Sequence, residues 1–526
     1  MHPADLFIGL WRRLTARRDE VRSLAGRLEA DPERAAVLFD AAAERLRDGA
    51  ASLETWVLDP DARGNGEADG GADGGAPPLD RVLAAAQAID AWFMPFAAWY
   101  APAAADLRMQ GSAAPDGAAA DLLEARRRYN RDGRFNADPA DGQLILRPGL
   151  LARAFNVREA VMPSAGGCDD GFDPVDLFRT LLVVPPTLAV GADRDGEPER
   201  RITMRFQRLA GLQDQVPADP DWRPVIGVVP LLQAEDDLDI HRFERDGETW
   251  YDPLARPLAR RAADAVATLA EQGATIVLFP EVSAHPETLA AISEALRRQA
   301  VDGSIRYALV GVRQQAKDGG RPRNRALLLD RRGREIAGQT KLHCWDLDSN
   351  QCRSYDLRDR NGRLLDCARE DIETGSRFTL FELPGFGRLA IAICEDLGRS
   401  QPSAWIASAM AADWLVTPVM DSGLTTGRWQ AKEGAASSRT GYCRVIVANS
   451  MALSHRFNRY CRANGEEDMI IHDCGVALLF QPRADEAAAP RIDCLTLPLA
   501  DPAPGYVCSR WTPDRWQELP EPEEAE

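Results

Sequence analysis

No CxxC pair occurs among the ten cysteines, which stand at 168, 344, 352, 367, 394, 443, 461, 474, 494 and 508. That excludes a zinc ribbon or a dithiol redox motif. Positive charge is also short: 63 Lys+Arg face 81 Asp+Glu, a net charge of -18, which leaves no basic surplus to neutralise phosphates or anionic lipid. Nucleic acid is therefore not an expected partner. Long apolar runs are missing too. The most apolar window, 82–107, is interrupted by Asp90, Pro95, Pro102 and Asp106, and reads as buried helix rather than a membrane span. The opening MHPADLFIGLWRRLTARRDE carries charges close behind a short apolar stretch and has no h-region of a secretory signal. Free thiols in a reducing cytoplasm are the resulting expectation.

What is present suffices for a large core. A chain of 526 residues with 45% hydrophobic content predicts a soluble globular protein of two or three domains. Residues 3–58 show helical periodicity, with Leu6, Leu10, Leu14, Val21, Leu24 and Leu28 on one apolar face. The Gly-, Asp- and Pro-rich stretch 59–78 reads as a flexible linker or loop. Helical pattern resumes over 79–128, and FRTLLVVPP followed by RRITMRFQRL predicts a hairpin across the turn-rich GADRDGEPE. The region 1–215 is expected to be mainly helical, and no chemistry is assigned to it. From residue 223 strands alternate with helices, the first long helix being expected around 253–272, and DRRG forms a hairpin turn that makes the sheet mixed. Residues 501–526 read as an acidic tail.

Three chemically useful residues each follow an apolar or extended run: Glu281 in TIVLFPE, Lys341 in GQTK and Cys394 in LAIAICEDLG. Strand ends of an α/β sheet converge on one crevice, so a carboxylate, an ammonium and a thiol displayed there can meet. Cys394 precedes a turn into a helix, where the N-terminal partial charge favours thiolate and the Glu395 N–H faces a developing oxyanion. Glu281 is the candidate base, its pKa raised by desolvation and restrained by Lys341. Met420, Asp421 and Ser422 follow the next strand and His285 lies just past Glu281, so these four, with Glu395 beside the thiol, are candidate substrate contacts. Trp429 and Arg439 read as packing or pairing residues on a helix face.

In this order, FPE, NRALLLDRRGREIAGQTKLH and AICED resemble the nitrilase superfamily, the carbon-nitrogen hydrolases, over about residues 223–485. RPVIGVVPL, DWLVTPVM and RVIVANS are similar to further strands of that family. The resemblance implies a four-layer αββα sandwich over 223–500, a Glu281-Lys341-Cys394 triad, and no cofactor or metal. It also implies a small-molecule amide substrate and a homodimer or higher homo-oligomer. A second active-site glutamate is expected at Glu370 in REDIETG, with Glu373 as the other candidate. CWDLDSNQCRSYDLRDRNGRLLDC looks like an insertion that caps the pocket, its cysteines and His343 being structural rather than metal ligands. Glu395 and Asp396 after the thiol favour amide over nitrile. Cys-Glu-Asp resembles the glutaminase domain of glutamine-dependent NAD synthetase, but no SGGxDS loop accompanies it. Acyl transfer to an amine and an idle scaffold are the alternative readings.

Overall fold

The structure is a computed structural model. It describes residues 1–59, 77–94, 125, 128–129, 131–146, 177–178, 180–190, 199–209, 223–299, 303–316, 319–359, 361–383, 386–399, 402–403, 406, 410, 412–483, 489–503, 505–512 and 515–519. Almost all of the expected linker 59–78 and the end of the expected tail lie outside these residues, as does most of SAWIASAMAA, residues 403–412, whose sequence reads as a helix. Contacts divide the chain into two units, one of residues 1–186 and 205–220, the other of residues 187–204 and 221–526.

The first unit holds the helices Pro3–Ala16, Arg18–Ala30, Pro32–Arg47, Ala50–Leu58 and Leu79–Trp92. Their apolar stripes bury Phe7, Leu10, Leu14, Val21, Leu53, Val82 and Ile89. Strands Gln143–Leu146 and Leu181–Val184 pair antiparallel in the same unit. Buried Asp90 anchors the second of them by accepting from the Thr180 and Leu181 N–H groups at 3.0 and 2.7 Å. The expected hairpin therefore forms one segment later. Pro185 and Pro186 end the LLVV strand because proline lacks a ladder donor, and Thr187–Val190 is the strand that pairs with Arg200–Arg208.

The second unit contains two large sheets. One has the order Glu335–Thr340, Arg323–Asp330, Tyr307–Gln314, Ile276–Ala284, Val225–Val228, Val507–Trp511, Trp516–Glu518. The other runs Arg491–Pro498, Asp473–Gln481, Arg444–Ala448, Trp414–Pro418, Gly387–Ile391, Arg377–Leu383, Arg200–Arg208, Thr187–Val190. At the centre of each, three strands run parallel and read as continuous apolar runs, because both of their faces are covered. Helices Ala259–Glu271 and Pro286–Gln299 cover the first sheet through Ala262, Val266, Leu269, Ile292 and Leu296. Helix Trp429–Gly441 covers the second. Trp414 joins the sheets, its ring 5.6 Å from that of Trp511. The result is the expected αββα layering. A smaller sheet, Asp346–Leu347, Ala368–Glu370, Glu248–Ala255, Leu238–Arg245, lies in the same unit.

Three boundaries differ from the sequence expectation. Residues 187–204, read as part of the N-terminal region, belong to the second unit. The presumed acidic tail contributes two strands, because Val507, Trp511 and Trp516 are apolar and buried. The helix expected around 253–272 begins only at Ala259, since Arg256 precedes a proline and Trp250–Tyr251 favour the hairpin 238–255. That hairpin carries Tyr251 toward the candidate site.

Strand Ile276–Ala284 changes register against its neighbour between Phe279 and Ala284, and Val282 there has φ +52°. The irregular backbone crosses Gly311 so closely that a Cβ would fall 1.9 Å from the Pro280 carbonyl oxygen. Gly311→Ala is expected to destabilise the second unit by about 3 kcal/mol and to lower Tm by about 6 °C. An unchanged melting curve would contradict the close approach.

Candidate active site

Glu281, Lys341 and Glu370 sit on three different strands or their ends, and each side chain is 1–2% exposed. The Lys341 ammonium bridges the two carboxylates, 2.9 Å from Glu281 Oε1 and 2.7 Å from Glu370 Oε2. Asn324 binds both from the other side, its Nδ2 donating to Glu281 Oε1 at 2.7 Å and to Glu370 Oε1 at 3.0 Å. The Trp345 N–H adds a bond to Glu370 Oε2 at 3.2 Å. Glu281 Oε2 is buried without a protein hydrogen-bond partner. Burial pushes the Glu281 pKa up against the pull of Lys341, with Glu370 adding to the rise. The lysine is held firmly protonated: its pKa lies well above the ordinary value because the two carboxylates outweigh desolvation.

Cys394 is wholly buried three residues past the end of strand Gly387–Ile391, in a left-handed conformation, φ +48°, immediately before the short helix Glu395–Gly398. Such a turn is the strained strand-to-helix corner on which nucleophiles are displayed. Its N–H donates to the Pro418 carbonyl at 3.0 Å, which locks it to the neighbouring parallel strand. The charged groups acting on the thiol are Glu281, Lys341, Glu370 and Asp421. Burial, then Glu281, pushes the Cys394 pKa well above 9.0, so the resting group is a thiol. Burial among carboxylates thus works against the thiolate expected from the sequence, with only a four-residue helix beside it to favour the anion.

Asp396, which the sequence reading used only to favour amide over nitrile, fastens this corner to the lysine segment. Its carboxylate accepts from the Leu342 N–H at 3.0 Å and the His343 N–H at 3.0 Å, and its Oδ1 lies 2.9 Å from His343 Nδ1. The Leu342 carbonyl is held in turn by the Arg200 guanidinium. Among the described residues no group of three His, Cys, Asp or Glu side chains is arranged to hold a metal ion.

The remaining predicted residues fall in distinct places. Glu373 is paired with Arg323 on the surface, away from the bridged cluster. Glu395 pairs with Arg399 at 2.7 Å and is partly exposed. His285 caps the helix Pro286–Gln299, its Nδ1 accepting from the Glu287 N–H at 3.3 Å. Met420, Asp421 and Ser422 are buried where the Trp414–Pro418 strand ends. Asp421 is satisfied by Arg428 at 2.8 Å, the Ser422 N–H at 2.6 Å, Gln430 and the Tyr355 hydroxyl. Trp429 packs edge-on to Trp345. Asn324, Tyr251, Trp345 and Tyr355 also surround the site. Only Asn324 left a local trace, as an amide opening the otherwise apolar NRALLL strand.

Lys341→Met leaves two carboxylates buried without their cation, and the expected loss at pH 8 is about 3–5 kcal/mol in unfolding free energy. A carboxyl whose folded pKa exceeds its unfolded value binds protons preferentially when folded, so the variant loses stability as pH rises and regains it toward pH 5. Denaturant titrations at the two pH values measure this. An equal deficit at both would contradict the charge argument.

Residues 249–478 match the family model described as carbon-nitrogen hydrolase. No curated protein matches the chain in sequence. Among solved structures, similarity extends to the NitFhit protein of C. elegans, at 19% identity over 43% of this chain and TM-score 0.31. It extends also to the glutamine-dependent NAD+ synthetase of Acinetobacter baumannii, at 12% identity over 58% of this chain and TM-score 0.34. The chain spans 51% and 49% of those two proteins. An amidase from Nesterenkonia sp. is matched over 94% of its length and 53% of this chain, at 17% identity and TM-score 0.30. The bridged Glu-Lys-Glu cluster and the buried Cys394 thiol all lie within residues 249–478, the segment that matches the carbon-nitrogen hydrolase model.

Proposed function

We propose that the protein hydrolyses a small non-peptide amide through a thioester on Cys394. The observation that carries this reading is Glu281: one carboxylate oxygen is fixed by Lys341 and Asn324, while the other is buried and unpartnered among groups that act on the thiol. A base needs a free lone pair and a fixed position, and this carboxylate has both. In the first half-reaction Glu281 takes the Cys394 proton as Sγ bonds to the amide carbon. The C–N bond then breaks as the proton passes to the departing nitrogen. Lys341 has three donors and spends two on carboxylates, which leaves one for the developing oxyanion, joined by the Glu395 N–H. In the second half-reaction water attacks the thioester while Glu281 accepts its proton, and the acid and the free thiol are released. Glu370 anchors Lys341 throughout.

Cys394→Ala is expected to abolish ammonia release from a panel of small aliphatic amides while retaining the wild-type melting curve. Glu281→Gln is expected to lower kcat/KM by about 10²–10⁴-fold. Mass spectrometry of the intact protein reads an acyl adduct on wild type and none on Cys394→Ala. Full activity of the alanine variant would eliminate the mechanism.

Because the Glu281 pKa is raised, the acid limb of kcat/KM should lie above the ordinary carboxylate value of 4.5. The thiol pKa is also raised, so alkylation of Cys394 should continue to accelerate beyond pH 9. A rate already level at pH 7 would mean a preformed thiolate.

A further inference from the structure

The segment between Lys341 and Glu370 is longer than the triad chemistry requires, and its contacts point inward. Its ends pair Asp346–Leu347 with Ala368–Glu370, which places the inserted chain directly beside the bridged cluster. Trp345 lies over the lysine, its ring centroid 6.0 Å from Nζ. Tyr355 packs edge-on against Trp345 at 6.2 Å and is 3% exposed. Its hydroxyl lies 3.3 Å from Asp421 Oδ1. Asp421 comes three residues after Pro418, whose carbonyl accepts the Cys394 N–H, so the insertion and the loop after the nucleophile meet at this hydrogen bond.

Asp421 is a built anchor. Arg428 grips it at 2.8 Å and holds the Ser422 and Gly423 carbonyls at 3.1 and 3.0 Å. The Asn449 Oδ1 accepts the Asp421 N–H at 2.9 Å, and the Asn449 amide returns a bond to the Asp421 carbonyl at 3.0 Å. A carboxylate held at so many points fixes whatever it binds. Charge around the thiol is one-sided: Lys341 is committed to Glu281 and Glu370, and Arg428 to Asp421. An anionic acyl group would meet three carboxylates there, and both of these cations are already paired.

We propose that Tyr355 is a specificity-determining residue for the hydrolysis proposed above: its ring, fixed by Asp421, walls the acyl side of Cys394 and restricts the substrate to amides of small, uncharged acyl groups. The inference rests on that hydrolase reading for its substrate, but the wall itself is open to measurement without turnover.

Three alkylating reagents of one chemistry separate size from charge: iodoacetamide, iodoacetanilide and iodoacetate. Labelling of Cys394 is followed peptide by peptide in the full chain, with buried Cys443 as a monitor of folding. In wild type, iodoacetamide is expected to label Cys394 at least about tenfold faster than either other reagent, after correction for their rates with a free thiol. Tyr355→Ala is expected to raise the iodoacetanilide rate about tenfold while iodoacetate stays slow. Tyr355→Leu, which keeps a large apolar side chain in the core, should shift in the same direction, and Tyr355→Phe should retain most of the exclusion. An unchanged ratio of anilide to amide rates in both Tyr355→Ala and Tyr355→Leu overturns the proposal. So does a Cys394 that resists all three reagents after the ring is removed. Fast iodoacetate labelling in wild type overturns the charge restriction. Retained size selectivity without ammonia release from any small amide would instead refute the hydrolase reading and leave the wall standing.

Discussion

One ammonium between two carboxylates, all three withdrawn from water, sets the terms for the rest of this domain. Desolvating each ion costs several kcal/mol, and the Lys341 bridge offsets that cost only while its geometry holds. The surrounding donors are consequently fixed as well: Asn324 spans both carboxylates, and the Trp345 N–H completes Glu370. With one positive and two negative charges the cluster carries a residual negative field. The two carboxylates hold Lys341 protonated, while burial, more than the charges, pushes up the Cys394 thiol and lifts Glu281 against the pull of Lys341. Under the hydrolysis proposed above, a single arrangement would supply both the base and a nucleophile that ionises only when the base acts.

The backbone around these groups is strained on both sides. Val282 follows the base at φ +52° and Cys394 itself has φ +48°, each at the end of a parallel run in one of the two facing sheets. Residues held this way cost on the order of 1–3 kcal/mol each and persist only where their surroundings over-determine them. Hydrogen bonding to Pro418 and the turn into Glu395–Gly398 fix the cysteine, while the gap left by Gly311 admits the irregular strand beside Glu281. Asp396 couples the two halves, since one carboxylate ties the nucleophile corner to the segment after Lys341.

Much of this was legible in the sequence because buried parallel strands write themselves as unbroken apolar runs. TIVLF and LAIAI announced two of the central strands and the residues that end them. The layering followed from their alternation with helices. Polar residues inside the core were not legible in that way. Tyr251 lies in a hairpin whose second strand runs into the stretch expected to begin a helix, and the structural role of Asp396, 1% exposed, has no signature beyond its place after the cysteine. Trp345 and Tyr355 sit in a segment without periodicity, where only the folded chain brings them to the site. The charge state of Cys394 depends on the balance of burial against several neighbours, a sum over space that no local motif encodes. The strand pair in the first 215 residues was misassigned for a simpler reason, since the two prolines that end one strand also begin another.

The strands Thr187–Val190 and Arg200–Arg208 form one edge of the eight-stranded sheet, and Arg200 reaches from there to the carbonyl next to Lys341. The part of the chain that matches the carbon-nitrogen hydrolase model is therefore not a cassette that can be cut out at residue 223. A polypeptide starting there would bare the long apolar strand Arg377–Leu383 along its hydrogen-bonding edge, an open template for self-association, and would lose the brace behind its lysine. Recombination that exchanged the N-terminal half for another would have to supply a replacement pair of strands in register, so inheritance of the two halves is coupled by the sheet.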